Sequence, residues 1–266
     1  RPGYWNSGEH SFAYDLDGDC NNMEVVAGNT VYNNDGSIYC ELTNGGALEA
    51  DGYPAVADIV GSDGNPEIVV SGNHWVSIFS GTPNGQGNCE LIAANLNKIE
   101  DDWATPEGLP ERPDCLESAS AFGGQPTVAD FTGDGSLEIG VAGSCWYNIY
   151  KYDDSSYLTR LAVAETRDWS SASTGATVFD FDGDGANEVV FSDESAVYVW
   201  LVDDSPDLDP WERMITLLED TENHGSWTIH EYPLVADVDG DGKAEIIAVN
   251  SHLQDDLGEP TEHLSL

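Results

Sequence analysis

Basic residues are scarce in this chain. Lys and Arg together number 8 against 50 Asp and Glu, a formal net charge of −42. That balance excludes nucleic acid and anionic membrane surfaces as partners, because binding to phosphates rests on Lys and Arg. Long apolar runs are missing as well. No stretch approaches the ~20 apolar residues that span a bilayer, so membrane insertion is not expected. No basic segment followed by an apolar one opens the chain, so any secretory leader is expected to have been removed or to lie outside this sequence. The five cysteines, Cys20, Cys40, Cys89, Cys115 and Cys145, form no CxxC and no Cys/His zinc spacing. Their odd number leaves at least one without an internal partner. In an oxidising compartment, proximity along the chain pairs Cys20 with Cys40 and Cys89 with Cys115. Catalytic signatures are absent: the six His are scattered, and there is no HExxH, GxSxG or P-loop. Disorder is not implied, since 40% of residues are hydrophobic, 10% are aromatic, and they fall in patterned runs.

What is present is a repeat. Five times a short apolar strand leads into an Asp-rich turn, and a Glu then opens a second apolar strand: SFAYDLDGDCNNMEVVAG, PAVADIVGSDGNPEIVVSG, PTVADFTGDGSLEIGVAG, ATVFDFDGDGANEVVFSD and PLVADVDGDGKAEIIAVN. The first Asp of each turn is Asp15, Asp58, Asp130, Asp180 or Asp237. Steps of roughly 40 to 70 residues suit a four-stranded blade of about 40–50 residues carrying loop insertions. Between the motifs lie further β-rich runs at 74–80, 146–152 and 196–202, and 29–42 reads as a hairpin turning at Asn34-Asp35-Gly36. The segment 211–219 has a helix-like pattern, but an outer strand there fits the blade better. The reading is therefore all-β: a β-propeller of four-stranded antiparallel blades, forming one domain over 1–266 or part of a larger ring. The motifs fall at 15–24, 58–67, 130–138, 180–188 and 237–245. Four blades are complete, and the fifth stops after its second strand, because the tail from Ser251 is polar and short for two more.

The turns are built to hold a hard cation. In the fourth, Asp180, Asp182, Asp184 and Glu188 put carboxylates at the first, third, fifth and ninth positions, with the Ala186 carbonyl at the seventh. Gly183 and Gly185 permit the tight bends. An all-oxygen set without His or Cys favours Ca²⁺ over zinc or copper, and Mg²⁺ keeps more water than such a cage allows. The fifth turn matches in full, with Asp237, Asp239, Asp241, Glu245 and the Lys243 carbonyl. The third has Asp130, Asp134, Glu138 and the Ser136 carbonyl, but Thr132 replaces a carboxylate, so weaker binding is expected. The first (Asp15, Asp17, Asp19, Glu24) is one residue longer before its Glu. The second (Asp58, Asp63, Glu67) is also long and has Val60 where a carboxylate belongs, which makes it the site expected to stay empty. Three to five ions are expected. An EF-hand is excluded, since strands rather than helices flank each loop and no Glu stands at the twelfth position.

At these residues the chain resembles the FG-GAP (VCBS-type) repeat family, typified by integrin α-chain propellers. The likeness rests on D-x-D-G-D-G-x-x-E followed by an apolar strand at 180–190 and 237–247, and extends over about 10–250. It implies a propeller with calcium in the loops joining the first and second strands, and an extracellular setting such as secreted or surface-attached bacterial proteins. The acidic excess agrees with a saline habitat, where salt screens self-repulsion.

If the Asp loops share one face, Trp75 and Trp146 lie on the other, joined by insertions bearing Trp103, Trp169 and Trp227. These residues are candidates for binding a protein or a glycan stacked on tryptophan. The function expected is a ligand-binding or adhesion-type module rather than an enzyme. The alternatives are a polysaccharide lyase or glycosidase, which the scarcity of Arg and Lys disfavours for acidic sugars, and a calcium-stiffened spacer.

Overall fold

The computed structural model describes residues 10–48, 51–61, 63–72, 75–95, 123–143, 145–167, 174–193, 195–221, 225, 232–254 and 260–265. All regular structure among them is β, and no helix among them is long and apolar enough to cross a membrane.

The strands follow the repeat. The first unit contains β1 (Ser11–Tyr14), β2 (Glu24–Ala27), β3 (Thr30–Tyr32) and β4 (Ile38–Asn44), with a short β5 (Ala47–Leu48) on the edge of β4. The second runs β6 (Tyr53–Ala57), β7 (Glu67–Gly72), β8 (Trp75–Ser80) and β9 (Asn88–Asn95). The third runs β10 (Thr127–Ala129), β11 (Glu138–Gly143), β12 (Trp146–Tyr152) and β13 (Tyr157–Glu165). The fourth runs β14 (Thr177–Phe179), β15 (Glu188–Ser192), β16 (Val197–Val202) and β17 (Met214–Asp220). The fifth contains β18 (Leu234–Ala236), β19 (Glu245–Gln254) and β20 (Pro260–Ser265). Within each unit, consecutive strands pair antiparallel. The segment 211–219 supplies β17, as expected of an outer strand. The tail does more than expected: β19 extends to Gln254 and β20 folds back on it, with Ala248 opposite Ser265.

The hairpin at 29–42 closes as its turn sequence dictates. Gly36 N donates to the Asn33 carbonyl at 2.9 Å and Asn33 N to the Ser37 carbonyl at 2.8 Å, with Gly36 at φ 84°, a conformation that costs glycine little.

Successive units lie side by side. Their first strands are neighbours in series, β1 with β6, β6 with β10, β10 with β14 and β14 with β18. At the opposite edge, β4 and β9 pair in parallel, Leu42 facing Cys89, and β9 pairs in parallel with β13. The core lies in the seams between units. Leu16, Val26, Val31 and Leu42 of the first unit meet Ile68, Val70 and Phe79 of the second. Val69, Val76 and Ile78 of the second meet Ile139, Val141 and Tyr150 of the third. Phe131, Tyr147 and Ile149 of the third meet Val189, Phe191 and Trp200 of the fourth. This explains the second strands' sequences. In β7, Ile68 and Val70 serve one seam and Val69 the other, so both faces are buried and the strand reads as a continuous apolar run rather than an alternation.

Gly140 is fixed by this packing. A Cβ there would overlap the hydroxyl of Tyr147, itself 1% exposed. Gly140→Ala is expected to destabilise by about 1–3 kcal/mol through overpacking, read as a lower urea midpoint. An unchanged midpoint would show that Tyr147 can move aside.

The disulfide expectations are corrected. Cys40 is joined to Cys89, Cα atoms 5.7 Å apart, because β4 and β9 run side by side although 49 positions separate the two residues. Cys20 is a free, exposed thiol in the first Asp loop, whereas Cys40 is fully buried. Cys145 is also disulfide-bonded. Cys115, expected to partner Cys89, lies outside the described residues.

Candidate metal centre

Each Asp-rich turn joins the first and second strands of its unit, and the same hydrogen bonds shape all five. The first Asp is the hub. In the fourth loop, Asp180 Oδ1 accepts from Gly183 N at 2.6 Å and Asp184 N at 3.1 Å, and Oδ2 accepts from Gly185 N at 3.1 Å. Asp182 Oδ1 accepts from Asp184 N at 3.1 Å and Asp184 Oδ1 from Ala186 N at 2.8 Å. The closing Glu188 sends Oε2 back to Phe181 N at 2.8 Å. The fifth loop repeats this with Asp237, Asp239, Asp241 and Glu245. Gly183 and Gly185 stand at φ 79° and 98°, the left-handed region such a coil requires.

Each loop winds its carboxylates around a tight coil of backbone N–H groups, which hold both oxygens of the first Asp and one oxygen of those that follow. The remaining oxygens converge. Oxygens of Asp15, Asp17 and Asp19 lie within 4.8 Å of one another, as do those of Asp180, Asp182 and Asp184, and those of Asp237, Asp239 and Glu245. Like charges this close repel, and a divalent cation would relieve them. Glu24, Glu67, Glu138 and Glu188 are all buried, and burial raises the affinity of Glu67 and Glu188 for a proton. A hydrogen-bonded carboxylate closing an all-oxygen cluster suits a hard cation, so the residues present fit calcium in the first, fourth and fifth loops.

The second and third loops gather no such triad among the described residues. In the second, Glu67 Oε2 accepts from Ile59 N and Val60 N, both at 2.9 Å, and Gly64 N reaches Asp58 Oδ2 at 2.7 Å. Val60 brings no oxygen, so the turn is held by its own amides. In the third, Asp130 accepts from Gly133 N and Gly135 N, and Asp134 from Ser136 N. Here Lys151 of β12 also enters, its Nζ 2.7 Å from Asp134 Oδ2 and 3.7 Å from Glu138 Oε1. Its hydrogen bond pulls Asp134 down to about 2, while burial pushes Glu138 up to about 7. Sequence reasoning missed Lys151. The available signal was a basic residue, one of 8 in the chain, near the end of a strand that runs back toward the Asp loop. The third and fourth loops touch, Asn187 giving both its backbone N and its Nδ2 to the Asp130 carbonyl at 2.9 Å.

Residues 180–248 match the model of the FG-GAP-like repeat. This segment carries FG-GAP-like repeats. It contains the two loops that match the Asp pattern in full, together with the strands that follow them. No curated protein matches the chain significantly. Among solved structures, the V. cholerae biofilm matrix protein Bap1 superimposes with a TM-score of 0.56 at 16% identity, covering 96% of this chain and 62% of that one. Rhamnogalacturonan lyase YesW gives 0.54 at 15% identity, covering 91% and 46%, and a rhamnogalacturonan lyase of Bacillus licheniformis gives 0.52 at 15%, covering 92% and 47%. The chain spans half to three-fifths of those lengths, and at such identities the likeness concerns the fold.

The tryptophans divide. Trp75 and Trp146 open the third strands of their units, at the end away from the Asp-rich loops, and Trp75 is half-buried. Trp146 corrects the expectation of an open stacking surface: it is 7% exposed and packs in the seam between the second and third units. Burial there contributes more than solvent exposure of so large a ring would allow. One edge of it reaches a cleft of about 450 Å³ between the third and fourth units, lined also by Arg167, Tyr198, Trp200, Trp211 and Glu219. Arg167 Nη2 pairs with Glu219 Oε1 at 2.8 Å on its wall. Trp103, Trp169 and Trp227 lie outside the described residues.

Proposed function

We propose that this chain is an extracellular β-propeller module whose loops bind Ca²⁺, and that it holds a glycan or protein ligand rather than transforming one. The observation that carries the reading is the recurrence of converging carboxylates at the same place in three units. The series of neighbouring first strands and the seams buried between units support radial blades. The FG-GAP-like segment and the likeness to a biofilm matrix protein support the extracellular setting.

The ligand is expected at the end of the units opposite the calcium loops. The cleft between the third and fourth units offers the half-buried face of Trp211 and a charged Arg167–Glu219 pair, a combination that suits a sugar ring: an aromatic plane for its apolar face and polar groups for its hydroxyls. Trp75 is a further half-buried tryptophan at this end.

Incubating the protein with a panel of neutral and acidic polysaccharides tests the reading. Retention of one of them without new chain ends is expected, and Trp211→Ala is expected to weaken it about tenfold or more. Unsaturated product ends would establish a lyase, and neither retention nor cleavage of any polysaccharide or candidate protein would leave a calcium-stiffened spacer.

A further inference from the structure

We infer that Lys151 takes the place of the metal in the third loop, so that this loop closes on an ammonium group of the chain itself and binds no calcium. The inference rests on the calcium reading for the neighbouring loops. Three observations meet at this position. First, Lys151 Nζ stands 2.7 Å from Asp134 Oδ2 and 3.7 Å from Glu138 Oε1, between two oxygens that the Asp pattern assigns to the ion. Glu138 is fully buried and its Oε1 has no hydrogen-bond partner, so the lysine is the charge facing it.

Second, the loop carries one carboxylate fewer. Thr132 brings a neutral hydroxyl where Asp182 and Asp239 stand in the fourth and fifth loops. That removes one of the several anionic oxygens that a divalent ion calls for. The third loop accordingly lacks the three-carboxylate convergence of the first, fourth and fifth.

Third, among the first four units only this one places a lysine opposite the closing Glu. The pairing of Ile139 with Tyr150 puts Lys151 level with Glu138. In the second unit Ser80 pairs directly with Glu67. The pairings of Val189 with Trp200 and Val25 with Tyr32 put Leu201 and Asn33 at the corresponding positions. The one unit that has exchanged a carboxylate for a hydroxyl is the one whose third strand delivers a cation.

Metal counts on the full chain, dialysed against buffered Ca²⁺ and measured by mass spectrometry, test this. Asp184→Asn is expected to lose one ion and Asp134→Asn none, while Thr132→Asp combined with Lys151→Gln gains one. Loss of an ion in Asp134→Asn, or no gain in the double variant, overturns the inference. A second arm does not depend on calcium. In EDTA, Lys151→Gln is expected to melt about 2–5 °C below the parent, because Glu138 and Asp134 lose the ammonium group that faces them. If the parent holds no metal at all, the calcium reading fails, yet this arm still judges the lysine: an unchanged melting temperature in chelator overturns its role.

Discussion

Chelation is expected to lower the melting temperature by about 15 °C or more. Three loops hold carboxylate oxygens within 4.8 Å of one another, and at neutral pH a bound cation relieves the repulsion between them. An ion present at a hundred times its dissociation constant stabilises the folded state by about 2.7 kcal/mol, so three such ions contribute about 8 kcal/mol. For a chain of this size each kcal/mol corresponds to roughly 2–4 °C. Melting curves in Ca²⁺, in EDTA, and in EDTA with Mg²⁺ make the measurement. Calcium should restore the transition and magnesium should restore little of it, because magnesium dehydrates reluctantly and prefers fewer protein ligands. Superimposable curves in calcium and chelator would end the metal reading for every loop at once.

Removing the Cys40–Cys89 bridge should have the next largest effect. The two residues are 49 positions apart, and the loop-closure entropy lost by the unfolded chain corresponds to about 4 kcal/mol. The bond also ties the outer strands of two adjacent units, β4 and β9, which otherwise share only a short parallel pairing. Cys40→Ala together with Cys89→Ala is therefore expected to melt about 8–16 °C lower, with the calcium count unchanged. A melting temperature within 2 °C or so of the parent would mean that the seam holds by packing alone. Peptide mapping checks the pairing itself: a Cys20–Cys40 cross-link would contradict the structure.

The repeat was legible because the physics that builds it is local. The Asp pattern, its glycines and the flanking apolar runs lie within about twenty residues of one another, so the two-strand heart of each unit follows from the chain alone. The loops' differences were legible too: Val60 and Thr132 mark the two turns that fail to gather three carboxylates. What escaped depends on contacts between distant segments. Cys40 meets Cys89 only because neighbouring units align their outer strands, and distance along the chain was the wrong guide. Lys151 reaches the third loop through the register of β11 with β12, which a bulge between Ile149 and Tyr150 in the next pairing leaves intact. Trp146 looked like a rim residue because it opens a strand, but the pleat turns its ring into the seam. The third strand of the last unit escaped because 260–265 is polar, so no apolar pattern announced β20.

The seams also govern how damage spreads. Since Ile68 and Val70 face one neighbour and Val69 the other, a lesion in β7 loosens two joints at once. Resistance to opening should therefore be shared between adjacent units, as among coupled spins, rather than set by each unit alone. Amide protons of β7 and β11, whose side chains enter two seams, would exchange with solvent more slowly than those of the exposed β1 and β18.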